Sequence, residues 1–359
     1  MRSHEIAAVF APPDGARGED PLAAAAGEDG VTVHKFVRYR ELLKNGGETV
    51  PEVKAAVEAA GADLHVLAFV TLFVPLDICD LAPHGTIVYH PSLLPLHRGM
   101  SAINWSIISG DAQAGFTIFY ADDGLDTGDI VLQRSVDIGA NDTISALYRD
   151  WLFPEGVAGI ADAVKAIEDG TSTRTVQEHR DNSEPPYYDP PCNKPMLIDF
   201  SKDVQEVHDL IRGCDSAPGA YFEVMGVPIT LLGSSMILGT GFESDPSSDF
   251  AAGVNNSHPW RGHSCMCLLR GCLIGAGCCR GAEGNADKVL GKLPIDGAGN
   301  VSSAIVTTES VVINCGSGGR VSCSSVKVGG SKAMPTSEML EALADALEAE
   351  DDDDATPKL

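Results

Sequence analysis

The residues best suited to chemistry fall between Val88 and Gly128. There the chain reads Tyr89-His90-Pro91-Ser92-Leu93-Leu94-Pro95-Leu96-His97-Arg98-Gly99, and further on Asp122-Asp123-Gly124-Leu125-Asp126-Thr127-Gly128-Asp129. An imidazole and a carboxylate brought together suit addition to a carbonyl. The carboxylate can take a proton from an attacking water or amine, while the imidazole stabilises the developing oxyanion or protonates the leaving nitrogen. His90 and Asp126 are the candidates for these roles, although the two residue types also fit a hydrogen-bonded loop histidine and a turn aspartate. Arg98 could hold the loop, meet an anionic group, or lie in solvent. Ser92 lacks the G-x-S-x-G setting of an activated serine nucleophile. His258, His263, Cys265, Cys267, Cys272, Cys278 and Cys279 invite a zinc reading. They contain no paired C-x-x-C arrangement, and adjacent cysteines are a poor geometry for one tetrahedral ion, so no metal is assigned.

For His90 and Asp126 to meet, the surrounding elements must deliver both to one place. Residues 6–10, 31–36, 64–70, 86–89 and 116–120 are short apolar or β-branched runs of strand length, and 50–60 and 102–108 have helical patterns between them. Strands alternating with helices imply an α/β layer with a largely parallel sheet. His90 then lies at the carboxyl end of a buried strand, where open α/β sheets hold their ligands, and Asp126 lies in a Gly-flanked loop after a second strand. From residue 142 to 170 the pattern is one long helix or a kinked pair, capped by Asp142 or Thr143, bent at Pro154 and ended by Gly170.

Composition shifts after Gly170. Residues 171–196 read as a Pro-rich linker. A helical piece at 203–212 precedes short Val, Ile and Leu runs that indicate a β-rich second domain over 197–335, with a Gly/Ser/Cys-rich insertion at about 241–300. Residues 336–359 form an acidic helix and tail. The chain has 359 residues, 25 basic and 51 acidic, for a formal charge of −26. It lacks the positive field that nucleic acid or anionic lipid would require, so neither is expected as a partner. Apolar stretches such as 64–74 are too short to span a bilayer, and MRSHE runs into IAAVF without a signal-peptide pattern. With no export signal, the ten cysteines read as reduced thiols of a cytoplasmic protein. Composition does not fix the oligomeric state.

His90-Pro91-Ser92-Leu93-Leu94-Pro95, Arg98-Gly99 and Gly124-Leu125-Asp126-Thr127-Gly128-Asp129, with Ala102-Ile103-Asn104-Trp105 between them, resemble the formyltransferase family that uses 10-formyltetrahydrofolate. The likeness runs from about His4 through Gly170, and more weakly through Ile211-Arg212-Gly213, Pro218-Gly219-Ala220 and residues 310–334. It is closest to the hydrolase type found at the amino terminus of 10-formyltetrahydrofolate dehydrogenases. The resemblance implies a Rossmann-like, mostly parallel sheet followed by a smaller β-rich, OB-like domain. It makes His90 the general acid, Asp126 the essential carboxylate and 10-formyltetrahydrofolate the substrate. Leu72, Phe73 and Val74 match the residues that contact the pterin, although the family usually has a polar residue where Leu72 stands.

Within the family, methionyl-tRNA and glycinamide-ribonucleotide formyltransferases carry Asn two residues before the histidine, whereas the hydrolase type carries an aliphatic residue. This chain has Val88. Val cannot supply the amide hydrogen bonds of Asn, which favours water as acceptor. Formyl transfer to methionyl-tRNA and a folate-binding pseudoenzyme or fragment are the alternatives. The family begins with a strand, a Gly turn and a helix before the strand that residues 6–10 resemble, so the first strand is expected to be missing here. No G-x-G-x-x-G fingerprint with a downstream acid is present, and no NADP site is expected on this chain.

Overall fold

The computed structural model describes residues 4–16, 18–40, 48–70, 72–177, 189–237, 289–295, 303–316 and 318–354. The chain divides into two compact units. The first takes Met1–Ala102, Gln113–Asp137 and Tyr148–Pro190, and the second takes Ile103–Ala112, Ile138–Leu147 and Pro191–Leu359.

In the first unit, β1 (Val9–Ala11), α1 (Pro21–Glu28), β2 (Val33–Lys35), α2 (Pro51–Ala60), β3 (His65–Leu67), α3 (Leu76–Cys79) and β4 (Thr86–His90) alternate as the sequence pattern requires. Local chemistry sets several boundaries. Asp20 caps α1 by accepting from the amides of Leu22 and Ala23, and Pro21 and Pro51 open their helices where a missing N–H costs nothing. The pairs β1–β2 and β3–β4 are parallel. Beyond β4 the sheet turns antiparallel, through β5 (Gln113–Tyr120) and β6 (Ile130–Asp137), in the order β3-β4-β5-β6. Strand β6, absent from the sequence reading, has no fully buried residue and alternates partly buried with exposed positions from Leu132 onward, so its apolar signal is weak. Among the described residues, β1–β2 is a separate two-stranded sheet, and β1 and β3 each have one hydrogen-bonded neighbour.

The 142–170 pattern resolves into α5 (Ile144–Leu147), a π-helical turn at Tyr148–Leu152 and α6 (Phe153–Glu168). Thr143 Oγ1 accepts from the Ala146 amide, and Pro154 sits at the start of α6. Helix α6 approaches the sheet through glycines: an added Cβ at Gly156 or Gly159 would lie 2.5 Å from the Tyr89 ring or 2.6 Å from the Phe116 ring. Phe116, Ile118 and Leu152 are fully buried beneath it.

The second unit is built on a sheet ordered β10 (Val289–Pro294), β11 (Ser303–Thr307), β12 (Val311–Asn314), β13 (Arg320–Val328), β9 (Val227–Ile237), β8 (Ala220–Val224) and β7 (Met196–Leu197). Strand β14 (Met334–Pro335) pairs off that path with β13. Strand β10 falls at the end of the stretch read as an insertion and pairs antiparallel with β11, with a register shift between Val289 and Gly291. Helices α7 (Val204–Cys214) and α8 (Met339–Asp354) bury Val207, Ile211, Met339 and Leu343 against the sheet. Helix α4 (Ala102–Ile108) is tied into this unit by Asn104 Nδ2, which donates to Gly213 O at 2.7 Å.

Helix α7 also carries polar ties to the segment after β6. Arg212 pairs with Asp209 at 2.6 Å, both buried, and donates to the carbonyls of Gly139 and Asp142. His208, fully buried, bonds Ala140 O through Nε2 at 2.8 Å and Ser234 Oγ through Nδ1 at 2.9 Å. Burial holds its pKa below the ordinary value of 6.5. Below that value the unfolded chain binds a proton that the folded chain refuses. Stability from this group is therefore complete above about pH 6.5 and is lost as pH falls from there toward the folded-state pKa. We expect the unfolding midpoint to drop between pH 7.5 and 5.5 with a slope of up to about 1.4 kcal/mol per pH unit from this residue. In His208→Gln that slope should be flatter; an unchanged slope would refute the assignment.

Among the described residues no helix is long and apolar enough to cross a membrane, and no group of three or more His, Cys, Asp or Glu side chains could hold a metal ion. The His258–Cys279 cluster lies outside the described residues.

Candidate active site

His90 is the last residue of β4, and the loop that follows folds back under it. Thr117, fully buried on β5, pins this loop: its hydroxyl donates to Ser92 O at 2.7 Å and accepts from the Leu94 amide at 3.0 Å and from Gln133 Nε2 at 2.8 Å. Ser92 donates to Leu96 O at 2.6 Å, so its hydroxyl is part of the loop rather than a nucleophile. The returning loop places His97 O 2.8 Å from His90 Nε2. A carbonyl can only accept, so Nε2 carries the proton and Nδ1 is the proton-accepting nitrogen of the neutral ring.

Nδ1 faces Asp126, whose Oδ2 is 3.7 Å away. The same Oδ2 accepts the Gly99 amide at 2.7 Å, joining the two loops directly. No hydrogen bond from the described residues reaches Asp126 Oδ1. The two side chains are 8% and 14% exposed, which leaves the pair shielded yet reachable. Burial holds the His90 pKa below its usual value, against the opposing pull of the Asp126 charge and of the bond to His97 O. At neutral pH His90 therefore stands as a neutral imidazole, able to take up a proton at Nδ1. The backbone is specialised here too: His97, Ser101 and Asp126 have φ of +54°, +67° and +56°, a left-handed conformation costly for side-chain-bearing residues and concentrated at functional sites.

Arg98 is buried, and its Nη2 donates to Gln177 Oε1 at 2.6 Å. Arg98 does not lie in solvent; its bond to Gln177 ties it to the site's own loops. Val88 projects from the same face of β4 as His90, two residues earlier. Leu72 and Val74 pack against an apolar cluster of Tyr39, Val53, Val57 and Ile78, whereas Phe73 is 55% exposed with the Arg40 guanidinium 4.2 Å above its ring. His90, Asp126 and Arg98 are thus joined in one network, and Leu72, Phe73 and Val74 form a separate apolar stretch before α3.

Two residues that sequence reasoning did not single out belong to this network. Both come from the stretch read as a linker. Gln177 is buried and bonds Arg98, and Asp189 Oδ2 lies 2.5 Å from His97 Nδ1. Neither stands in a motif, so only the contacts reveal them.

A strand-end histidine facing a loop carboxylate, set in an α/β sheet in a chain with a β-rich second unit, is an arrangement on which acid–base chemistry at a carbonyl can be built. Residues 2–164 match the formyl transferase family and residues 194–256 match its C-terminal domain. The chain belongs to the formyl transferase family of enzymes. It is 45% identical over 243 residues to a mitochondrial 10-formyltetrahydrofolate dehydrogenase of Mus musculus, covering 68% of this chain and 26% of that protein. The chain therefore spans about a quarter of the length of the dehydrogenases it matches. It is 33% identical to the methionyl-tRNA formyltransferase of Clostridioides difficile (strain 630), over 61% of this chain and 69% of that one. The fold is shared with HypX from Aquifex aeolicus, solved in complex with tetrahydrofolic acid, with a TM-score of 0.52 at 17% identity over 93% of this chain and 47% of that one.

Proposed function

We propose that this chain binds 10-formyltetrahydrofolate and hydrolyses it to formate and tetrahydrofolate. The observation that carries the reading is the oriented pair His90 and Asp126, with Val88 on the same strand face where an amine-accepting site would carry an amide. Asp126 Oδ1 takes a proton from water as its oxygen adds to the formyl carbon. His90, oriented by His97 O, first takes up a proton at Nδ1 from solvent. The imidazolium then steadies the tetrahedral oxyanion or delivers that proton to the folate nitrogen as the carbon–nitrogen bond breaks, and Asp126 returns to solvent the proton it took from water. Leu72, Phe73 and Val74 offer an apolar wall for the pterin. Residues 1–170 would be the folate-binding domain, 171–196 its connector, and 197–335 the β-rich partner domain with an insertion near 241–300. Residues 336–359 would be an acidic tail. The high identity to dehydrogenases over their formyltransferase portion supports the hydrolase type, and a cytoplasmic location is part of the same proposal.

The purified chain should release formate from 10-formyltetrahydrofolate with no amine acceptor present. Faster transfer of the formyl group to methionyl-tRNA would overturn the hydrolase assignment. Folate binding without formate release would instead support the pseudoenzyme reading.

A further inference from the structure

We infer that Gln177 is a positioning residue for the catalytic carboxylate. The inference rests on the hydrolase reading for its kinetic test but not for its structural one.

The primary amide of Gln177 uses both ends. Its Oε1 accepts from Arg98 Nη2 at 2.6 Å, and its Nε2 donates to Asp126 O at 3.0 Å and to Gly128 O at 2.8 Å. The side chain is 2% exposed, so these bonds form away from competing water. Through one residue the loop after β4, which carries Arg98, is fastened to the loop that carries Asp126.

The fastening falls where it matters most. Asp126 has φ of +56°, a conformation that the surroundings must impose. The Gln177 bond holds that residue by its own carbonyl, while the Gly99 amide holds it by Oδ2. Main chain and side chain of the same aspartate are thus clamped from two directions. Arg98 is drawn toward Gln177, which keeps Gly99, its neighbour, in place to donate. A second clamp acts on the histidine: Asp189 fixes the His97 ring at Nδ1, and His97 O in turn fixes the His90 tautomer. Gln177 thus steadies the aspartate and Asp189 the histidine.

The chemistry of the amide is specific. Met matches Gln in length and volume but neither donates nor accepts in this way, and Glu keeps the acceptor facing Arg98 while presenting an oxygen to two carbonyls. Either substitution should release Asp126 while leaving the site's apolar walls in place.

The test compares wild type with Gln177→Met and Gln177→Glu. In both variants kcat for formate release should fall ten- to a hundredfold with KM for 10-formyltetrahydrofolate changed less than twofold, because a displaced base is lost chiefly in the transition state. The second readout is NMR titration of the His90 ring in the ligand-free chain. The Asp126 charge raises the His90 titration point, so its displacement should lower that point toward the value in Asp126→Asn. A kcat within twofold of wild type in both variants, or a His90 titration unmoved in whichever of them folds, would overturn the inference. If wild type releases no formate, the function proposal fails, and the His90 titration alone decides the positioning role.

Discussion

Asp126→Asn should lower kcat for formate release by about 10³-fold, at the upper part of the range for removing a general base, with KM for the folate substrate little changed. The substitution is chosen to isolate the chemistry. Asn retains an oxygen that can accept the Gly99 amide bond, which Asp126 Oδ2 now accepts at 2.7 Å, and Asn tolerates the left-handed backbone of φ +56°. The loop should therefore keep its place while losing the group that takes the proton from water. His90→Ala should cost a comparable factor, since it removes the ring that faces the carboxylate at 3.7 Å. Because the two groups act as a unit, the double variant should be little worse than either single one. Residual activity within tenfold of wild type in Asp126→Asn would sink the assignment. Unfolding midpoints measured alongside separate lost chemistry from lost structure.

The parts of this site that the sequence displays are those whose residue types are forced by local chemistry. His90 follows a strand whose apolar pattern marks it as buried, and the glycines around Asp126 mark a tight loop, so both residues can be read in one dimension; the route by which they meet cannot, because β5 is antiparallel to β4 and its carboxyl end pairs with Ile87. Strand β6 escaped because its inward face is only partly buried and includes Arg134, so the sequence Ile-Val-Leu-Gln-Arg-Ser-Val-Asp shows no clean apolar–polar alternation. The antiparallel course of β5 and β6 escaped for a related reason: strand runs report burial, not direction. Gln177 and Asp189 escaped on different grounds. Each acts only through long-range contacts, Gln177 with Arg98 and the carbonyls of Asp126 and Gly128, Asp189 with His97, and a polar residue in a Pro-rich stretch carries no local mark of them. Arg98 is the intermediate case. Its type announced an anchor, an anion contact or a solvated side chain, and its burial removes only the last.

Gly128→Ala should damage both stability and activity, although it adds a single methyl group. The Gly-Asp turn at the end of the Asp126 loop brings the chain back against β5, where Tyr120 N donates to Asp129 O at 2.9 Å. That return leaves no room at Gly128: an added Cβ would fall 1.8 Å from Tyr120 O and 2.9 Å from its carbonyl carbon. Both obstructing atoms are backbone, so no change of rotamer relieves the clash, and the loop or the strand end must shift. Overpacking of this kind costs about 1–3 kcal/mol. The shift also bears on the site, because Gly128 O accepts from Gln177 Nε2, whose other bond holds Asp126 O. A displacement of about 1 Å at the base lowers kcat by up to about a hundredfold. Gly27→Ala provides the contrast. Gly27 lies within α1, with nothing within 4 Å of its added Cβ, so the same chemical change should leave activity intact and raise stability by up to about 1 kcal/mol through helix propensity. Measured unfolding free energies and kcat for the two variants should therefore diverge in sign and in size. Equal behaviour would mean that the close approach of residue 128 to Tyr120 does not govern the Asp126 loop.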